Sequence, residues 1–324
     1  MKFVAWMTYH LESREIVDDY IARARRYLVG HEFVVCEDVE SVKREISDAD
    51  VMLGWRITPE VFASARKLKW IQFGSAGIDH TLFPELIASD VILTTLGGIH
   101  ATVVAEHVIG LMLALARRFD LAARLQSEKR YERAEIASTA SELSGKTLGI
   151  IGLGRIGLNI ARLGKAFGMS VVGTKRILEG DLANLDRVYR ASEYRKVLPV
   201  SDYLVLSVPL TRETRSLIGA NEIAMMKDGA CLINVARGAM VDHDALGTAL
   251  RSGKLKGAAL DVFPEEPLPP ESPIWNLPNT IITPHTACSF PRYGELAAEV
   301  FRQNLEAFLT GGEMINVYDR RRGY

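Results

Sequence analysis

Gly145-Lys-Thr-Leu-Gly-Ile-Ile-Gly152-Leu-Gly154-Arg155-Ile156-Gly157 is the stretch whose reading decides the fold. An apolar run, TLGII at 147–151, leads into GxGxxG, and Ile156, Ile160, Leu163 and Phe167 then recur at helical spacing, predicting one shared face. Strand, glycine turn and helix in that order form a cradle for a dinucleotide pyrophosphate. Gly152 is expected to make the tight turn, Gly154 to let backbone approach the phosphates, and Gly157 to let helix and strand pack closely. Arg155 and Ile156 begin the helix whose N-terminus faces the anion.

Outward from this motif, short apolar runs alternate with amphipathic ones. Upstream lie KFVAWM (2–7), EFVVC (32–36), DVMLG (50–54), KWIQF (69–73) and VILTT (91–95). Downstream lie SVVGT (170–174), YLVLSV (203–208), ACLINV (230–235), GAALDV (257–262) and TIITP (280–284). This βαβ alternation predicts an α/β fold with two parallel-sheet domains. A helix over about 101–119, with Val104, Val108, Leu111 and Leu115 on one face, joins the two series, and a second helix closes the chain near 294–309. Right-handed crossovers leave that closing segment free to return to the first unit. The first domain is therefore expected to be discontinuous, 1–100 plus 289–324, with 101–288 as the dinucleotide-binding domain and hinges near 98–102 and 286–291.

Composition narrows the function classes. The 324 residues are 48% hydrophobic and 24% charged, which suits about two buried cores and excludes disorder. With 39 Lys and Arg against 40 Asp and Glu, net charge is −1, and no nucleic-acid partner is expected. The longest apolar stretch, 103–116, is interrupted by Glu106 and His107 and falls short of the roughly 20 residues that span a bilayer, so no membrane partner is expected either. Met1 to Met7, followed by Thr8, Tyr9, His10, Leu11 and Glu12, has no cleavage site and reads as a first strand rather than a signal peptide. Cys36, Cys231 and Cys288 show no CxxC spacing, and a reducing cytoplasmic location fits them. The seven histidines form no HxxxH or HxH pair, so no metal is expected. The terminal run Arg320 to Arg322 reads as a solvated tail.

The end of the second strand of the glycine-motif unit speaks to the cofactor. An NAD site usually carries Asp or Glu there for the ribose 2′-hydroxyl. Here the chain reads Val171-Val172-Gly173-Thr174-Lys175-Arg176, with no acid before Glu179. A hydroxyl and two cations stand where a 2′-phosphate belongs, which favours NADP(H), with NAD(H) possible.

Three downstream segments carry a stronger signal: Asn234-Val235-Ala236-Arg237-Gly238-Ala-Met-Val-Asp242, Leu260-Asp261-Val-Phe-Pro-Glu265-Glu266-Pro267, and Thr283-Pro284-His285-Thr-Ala. With Gly74-Ser75-Ala76-Gly77-Ile-Asp79, Val104-Ala-Glu106-His107 and Val208-Pro209-Leu-Thr211-Arg-Glu-Thr214, they run in order over nearly the whole chain, which resembles the D-2-hydroxyacid dehydrogenases, glyoxylate and hydroxypyruvate reductases among them. The resemblance implies a Rossmann dinucleotide-binding domain, a flavodoxin-like substrate domain and a cleft between them. It implies a homodimer built on the connector helix and neighbouring loops.

The residues agree on their own terms. Arg237 can hold a carboxylate bidentately and polarise the adjacent carbonyl. His285 can give a proton in reduction and take one in oxidation. The resemblance makes Glu266, rather than Glu265, the partner that orients His285, and assigns the substrate carboxylate to the backbone amides of Ser75, Ala76 and Gly77. It brings Val235, Ala236 and Asp261 to the nicotinamide side, with Pro209 and Thr214 nearer adenosine and phosphates. The expected reaction is hydride transfer between NAD(P)H and a small-molecule 2-oxo acid or D-2-hydroxy acid. Trp55, Arg56 and Ile57 are candidates to meet its side chain. Formate dehydrogenases carry Gln in place of Glu266, and a methyltransferase needs no Arg, Glu and His together. Two alternatives stay open: a phosphite dehydrogenase, and a dinucleotide-sensing protein similar to the C-terminal-binding-protein corepressors.

Overall fold

The computed structural model describes residues 1–7 and 13–324; Thr8 to Glu12, read above as continuing the N-terminal segment, lie outside the described residues. The chain divides into two compact units, Met1–His100 with Ser289–Tyr324, and Ala101–Cys288. Each contains one all-parallel sheet flanked by helices, so the α/β expectation with two parallel sheets is borne out.

In the first unit β1 (Lys2–Trp6), β2 (Glu32–Val35), β3 (Val51–Gly54), β4 (Trp70–Phe73) and β5 (Ile92–Thr94) lie in the order β2-β1-β3-β4-β5. This is the doubly wound order of flavodoxin-like sheets. The central strands β3 and β4 are buried at every position, whereas the edge strand β2 is only half buried, as the length of each apolar run dictates. One buried polar group, Gln72, accepts from Thr94 Oγ1 (2.9 Å) and from Asn304 Nδ2 (3.0 Å), which ties the sheet to the C-terminal helix Tyr293–Thr310. Trp70 stacks on Phe301 of that helix at 5.6 Å. Arg320 is no solvated charge: it donates to the carbonyls of Ile87 (2.9 Å) and Val91 (2.6 Å), anchoring the terminal segment beside β5.

The second unit contains β6 (Thr147–Ile151), β7 (Ser170–Lys175), β8 (Arg187–Arg190), β9 (Tyr203–Leu206), β10 (Ala230–Asn234), β11 (Leu255–Leu260) and β12 (Thr280–Ile282), in the order β12-β11-β10-β9-β6-β7-β8. The order reverses between β6 and β9, and ligands of such sheets lie beyond the carboxyl ends at that switch point. β8 was not foreseen; RVYR is a short edge strand with charged ends and carries no apolar run. The connector helix spans Ala101–Arg117, ending where Arg118 turns left-handed at φ 59°.

The helix Arg155–Ala166 buries Gly157, Ile160, Ala161 and Gly164, rather than a face that ends on Phe167, which is the exposed C-cap. The physical reason is close approach: a Cβ on Gly164 meets Leu148 Cδ2 at 2.6 Å. Ile160 is fully buried and Ile156 and Leu163 pack against the same core, so the expected face holds except at Phe167, with Gly157 and Gly164 added to it.

Candidate active site

Every site residue expected in the second unit lies at the carboxyl end of a strand or in the segment that follows it. Beyond β6, Gly152 adopts φ +106°, and any Cβ there meets Ser207 O at 2.6 Å. The turn is fastened from two sides. Ser207 Oγ donates to the Gly152 carbonyl (2.7 Å), and the Gly152 N–H donates to Thr174 Oγ1 (3.2 Å). A Cβ on Gly157 lies 2.1 Å from Gly152 O, so the first helical turn rests directly on the loop. Gly154 is different: an added Cβ meets nothing within 4 Å, and no side chain caps the helix that follows. Its exposed backbone and the helix start at Arg155 and Ile156 could hold an anion.

Thr174 is a correction. Its side chain is 2% exposed and bonded to the glycine loop, so it does not stand free to meet a 2′-phosphate. Lys175 ends β7 partly buried, with Nζ donating to the Glu179 carbonyl, and Arg176 is exposed beside it. Beyond β9, Pro209 is exposed and its carbonyl accepts from Thr214 Oγ1 (2.7 Å), which itself accepts from Thr211 N (2.8 Å). The Thr214 hydroxyl thus closes its own loop.

The Arg, Glu and His follow three neighbouring strands. After β10, Asn234, wholly buried, accepts from Ala236 N (3.1 Å) and donates to Arg237 O (2.9 Å), folding Val235 and Ala236 into a tight turn that presents Arg237. Sequence reading assigned Asn234 no role, although an Asn at a strand end is a signal for such a turn. Arg237 Nη1 donates to the Ala236 carbonyl (2.8 Å). A Cβ on Gly238 meets the Phe263 backbone at 2.0 Å, so the loops after β10 and β11 are in contact.

After β11, Glu266 precedes a cis peptide bond to Pro267 and uses both oxygens: Oε1 accepts from Phe263 N (2.8 Å), and Oε2 accepts from His285 Nδ1 (2.6 Å). Because a carboxylate only accepts, Nδ1 carries the proton and Nε2 is the atom left to serve a substrate. Burial pushes the Glu266 carboxyl up. The hydrogen bonds from His285 and Phe263, with the charges of His285 and Arg237, outweigh that and hold it below the usual carboxylate range. Glu265 is exposed.

His285, after β12, sits at φ +55°, a left-handed conformation that costs a side-chain-bearing residue about 1–2 kcal/mol. Its N–H donates to Asp261 O (2.8 Å) and Thr283 O (3.0 Å). The Asp261 side chain is 1% exposed, and its carboxylate accepts from Thr283 Oγ1, Thr286 N and Ala287 N.

In the first unit, Ser75, Ala76 and Gly77 follow β4. Ser75 Oγ donates to Gly77 O (3.1 Å) and Ser75 O accepts from Leu96 N (2.9 Å), which rounds the segment into a turn with Ala76 exposed. Just before it, Gly74 O accepts from the buried Tyr293 hydroxyl (2.6 Å), and the Trp55 ring lies 3.0 Å from where a Gly74 Cβ would stand.

Residues 109–287 match the family model for the NAD binding domain of D-isomer specific 2-hydroxyacid dehydrogenases. A D-3-phosphoglycerate dehydrogenase of Methanocaldococcus jannaschii is 36% identical over 86% of this chain, which spans only 53% of that relative's length. A glyoxylate reductase of Thermofilum pendens is 35% identical, covering 84% of this chain and 82% of its own. Among solved structures, an NADPH-dependent glyoxylate/hydroxypyruvate reductase of Sinorhizobium meliloti, in complex with NADP and sulfate, superposes with a TM-score of 0.85 at 27% identity, over 100% of this chain and 99% of that one. This chain belongs to the D-isomer specific 2-hydroxyacid dehydrogenase family, oxidoreductases that act on a CH–OH group with a nicotinamide dinucleotide.

Proposed function

We propose that this protein reduces a small 2-oxo acid to the D-2-hydroxy acid with NADPH, using Arg237, Glu266 and His285. The observation that carries the reading is the 2.6 Å pair of His285 Nδ1 and Glu266 Oε2, formed at strand ends next to the one that presents Arg237.

The residues fit a dinucleotide. The uncovered backbone at Gly154 and the helix start at Arg155 and Ile156 suit its pyrophosphate. Pro209, Thr214, Val235 and Ala236 lie in the segments that follow neighbouring strands. When bound, the nicotinamide supplies the hydride. No acid stands at the end of β7 to repel a 2′-phosphate, and the Arg176 guanidinium with the Lys175 stem supports NADP(H) over NAD(H).

The chain's own groups do the rest. Arg237 holds the substrate carboxylate with its planar fork and draws charge from the carbonyl oxygen. Glu266 fixes the ring of His285, whose Nε2 delivers a proton to the carbonyl oxygen. His285→Ala is expected to lower kcat by about a thousandfold or more while dinucleotide affinity stays unchanged. Turnover near the unsubstituted level removes His285 from the mechanism.

The same reading places the protein in the cytoplasm as a homodimer. Phe119 (57% exposed) and Tyr131 (96% exposed), just after the connector helix, are apolar surface that a second copy would cover. A monomer by light scattering refutes the dimer.

A further inference from the structure

The left-handed backbone of His285 raises the question of what holds it. Three groups of the second unit converge on the segment from Thr283 to Ala287. Asp261 offers its carbonyl to His285 N (2.8 Å). Its Oδ1 accepts from Thr286 N (2.9 Å) and Ala287 N (3.2 Å), and its Oδ2 also accepts from Ala287 N (3.2 Å). One residue therefore binds the backbone on both sides of the His285 ring.

The carboxylate is fastened in turn. Thr283 Oγ1 stands 2.6 Å from Asp261 Oδ1. A hydroxyl has a single proton, and a carboxylate can only accept, so that proton belongs to Asp261. The remaining contact of Thr283 Oγ1, to His107 Nε2 at 3.1 Å, must then be donated by the histidine, which fixes the Nε2–H form of His107. His107 stands on the connector helix and its Nε2 lies 3.7 Å from the same Asp261 oxygen. At 1% exposure the Asp261 side chain is shielded from water, so each bond acts in a low-dielectric setting where a missing partner is costly.

We propose that Asp261 and Thr283, braced by His107, are positioning residues that hold the His285 backbone in its left-handed conformation and so aim the imidazole at the substrate oxygen. The inference rests on the reading of His285 as the proton donor.

The test compares Thr283→Val, which keeps the shape and removes the hydroxyl, with Thr283→Ser, which restores it. The readouts are kcat with NADPH and the 2-oxo acid turned over fastest, and NADPH Kd by nicotinamide fluorescence. Misaiming a catalytic group by about 1 Å costs on the order of a hundredfold in rate. Thr283→Val is expected to lower kcat about ten- to a hundredfold with NADPH Kd within about twofold, and Thr283→Ser to recover most of it. His107→Leu against His107→Gln, whose amide can still donate to Thr283, supplies a second pair should the valine variant fold poorly. Unchanged kcat in Thr283→Val or His107→Leu overturns the inference. So does a loss confined to NADPH Kd, or one that serine and glutamine do not restore. His285→Ala separates the two levels: if it retains turnover, the proton-donor reading has failed, whereas if it is inactive and Thr283→Val is fully active, only the positioning role has.

Discussion

Gly157→Ala should damage the protein at the seam between its glycine loop and first helix. The new methyl carbon would stand 2.1 Å from Gly152 O, against roughly 3.3 Å for an ordinary carbon–oxygen contact. More than about 1 Å of retreat is needed, and both partners are backbone. Gly152 cannot give way easily, because its own Cβ direction is blocked by Ser207 O at 2.6 Å and its carbonyl is held by Ser207 Oγ. Overpacking of this kind costs about 1–3 kcal/mol. Gly154→Ala is the matched control. Its φ of −81° and ψ of −165° suit alanine, and nothing lies within 4 Å of the new methyl, so stability should stay within about 0.5 kcal/mol. The added methyl does occupy the face where phosphates would approach, so NADPH affinity should fall about tenfold or more, equal to about 1.4 kcal/mol. Urea denaturation and fluorescence titration read the two effects separately. Wild-type stability in Gly157→Ala refutes the packing argument, and wild-type NADPH affinity in Gly154→Ala refutes the cradle.

Three further outcomes follow from the same geometry. Thr174→Val leaves the Gly152 N–H without its partner and should cost about 1–3 kcal/mol by denaturation, with little change in kcat; a stability unchanged from wild type contradicts the role given to that hydroxyl. Arg237→Ala should raise KM for the 2-oxo acid and lower kcat together, since the guanidinium acts in ground state and transition state alike; a change confined to NADPH affinity counts against it. Glu266 ionises below its ordinary value of 4.5 in the folded chain, so its contribution to stability is complete above that value and is lost as pH falls through the lower, folded one. The stability gap between wild type and Glu266→Gln should therefore shrink on acidification below 4.5, and a gap that widens there reverses the sign of the argument.

The parts of the fold legible in the sequence were those written in local pattern. TLGII before GxGxxG announced β6 and its turn, and fully apolar runs such as YLVL marked strands buried on both faces. Arg237 and His285 could be read because each follows an apolar run, where parallel sheets collect their chemistry. What was missed depends on partners distant in sequence. Thr174 looks like a free hydroxyl beside two cations until the loop 22 residues earlier folds onto it. Asp261 gives no local sign of its bonds to Thr283, Thr286 and Ala287, 22 to 26 residues further on. On the helix Arg155–Ala166 the periodicity found Ile156, Ile160 and Leu163 but ran one turn too far to Phe167 and passed over Gly157 and Gly164, because such a count weighs large apolar residues and close approach here needs the absence of a side chain. Arg320 gave no local sign that two carbonyls near β5 would capture it.

The most direct test of the account is the initial rate of NADPH and, in parallel, NADH consumption by the intact chain against glyoxylate, hydroxypyruvate, pyruvate, phenylpyruvate and branched 2-oxo acids. Rapid turnover of at least one of them, faster with NADPH than with NADH and abolished by His285→Ala, is the predicted result. Tight NADPH binding without consumption of any member contradicts it and points to dinucleotide sensing, while NADP-dependent oxidation of phosphite in place of 2-oxo acid reduction assigns the same Arg, Glu and His to a different substrate.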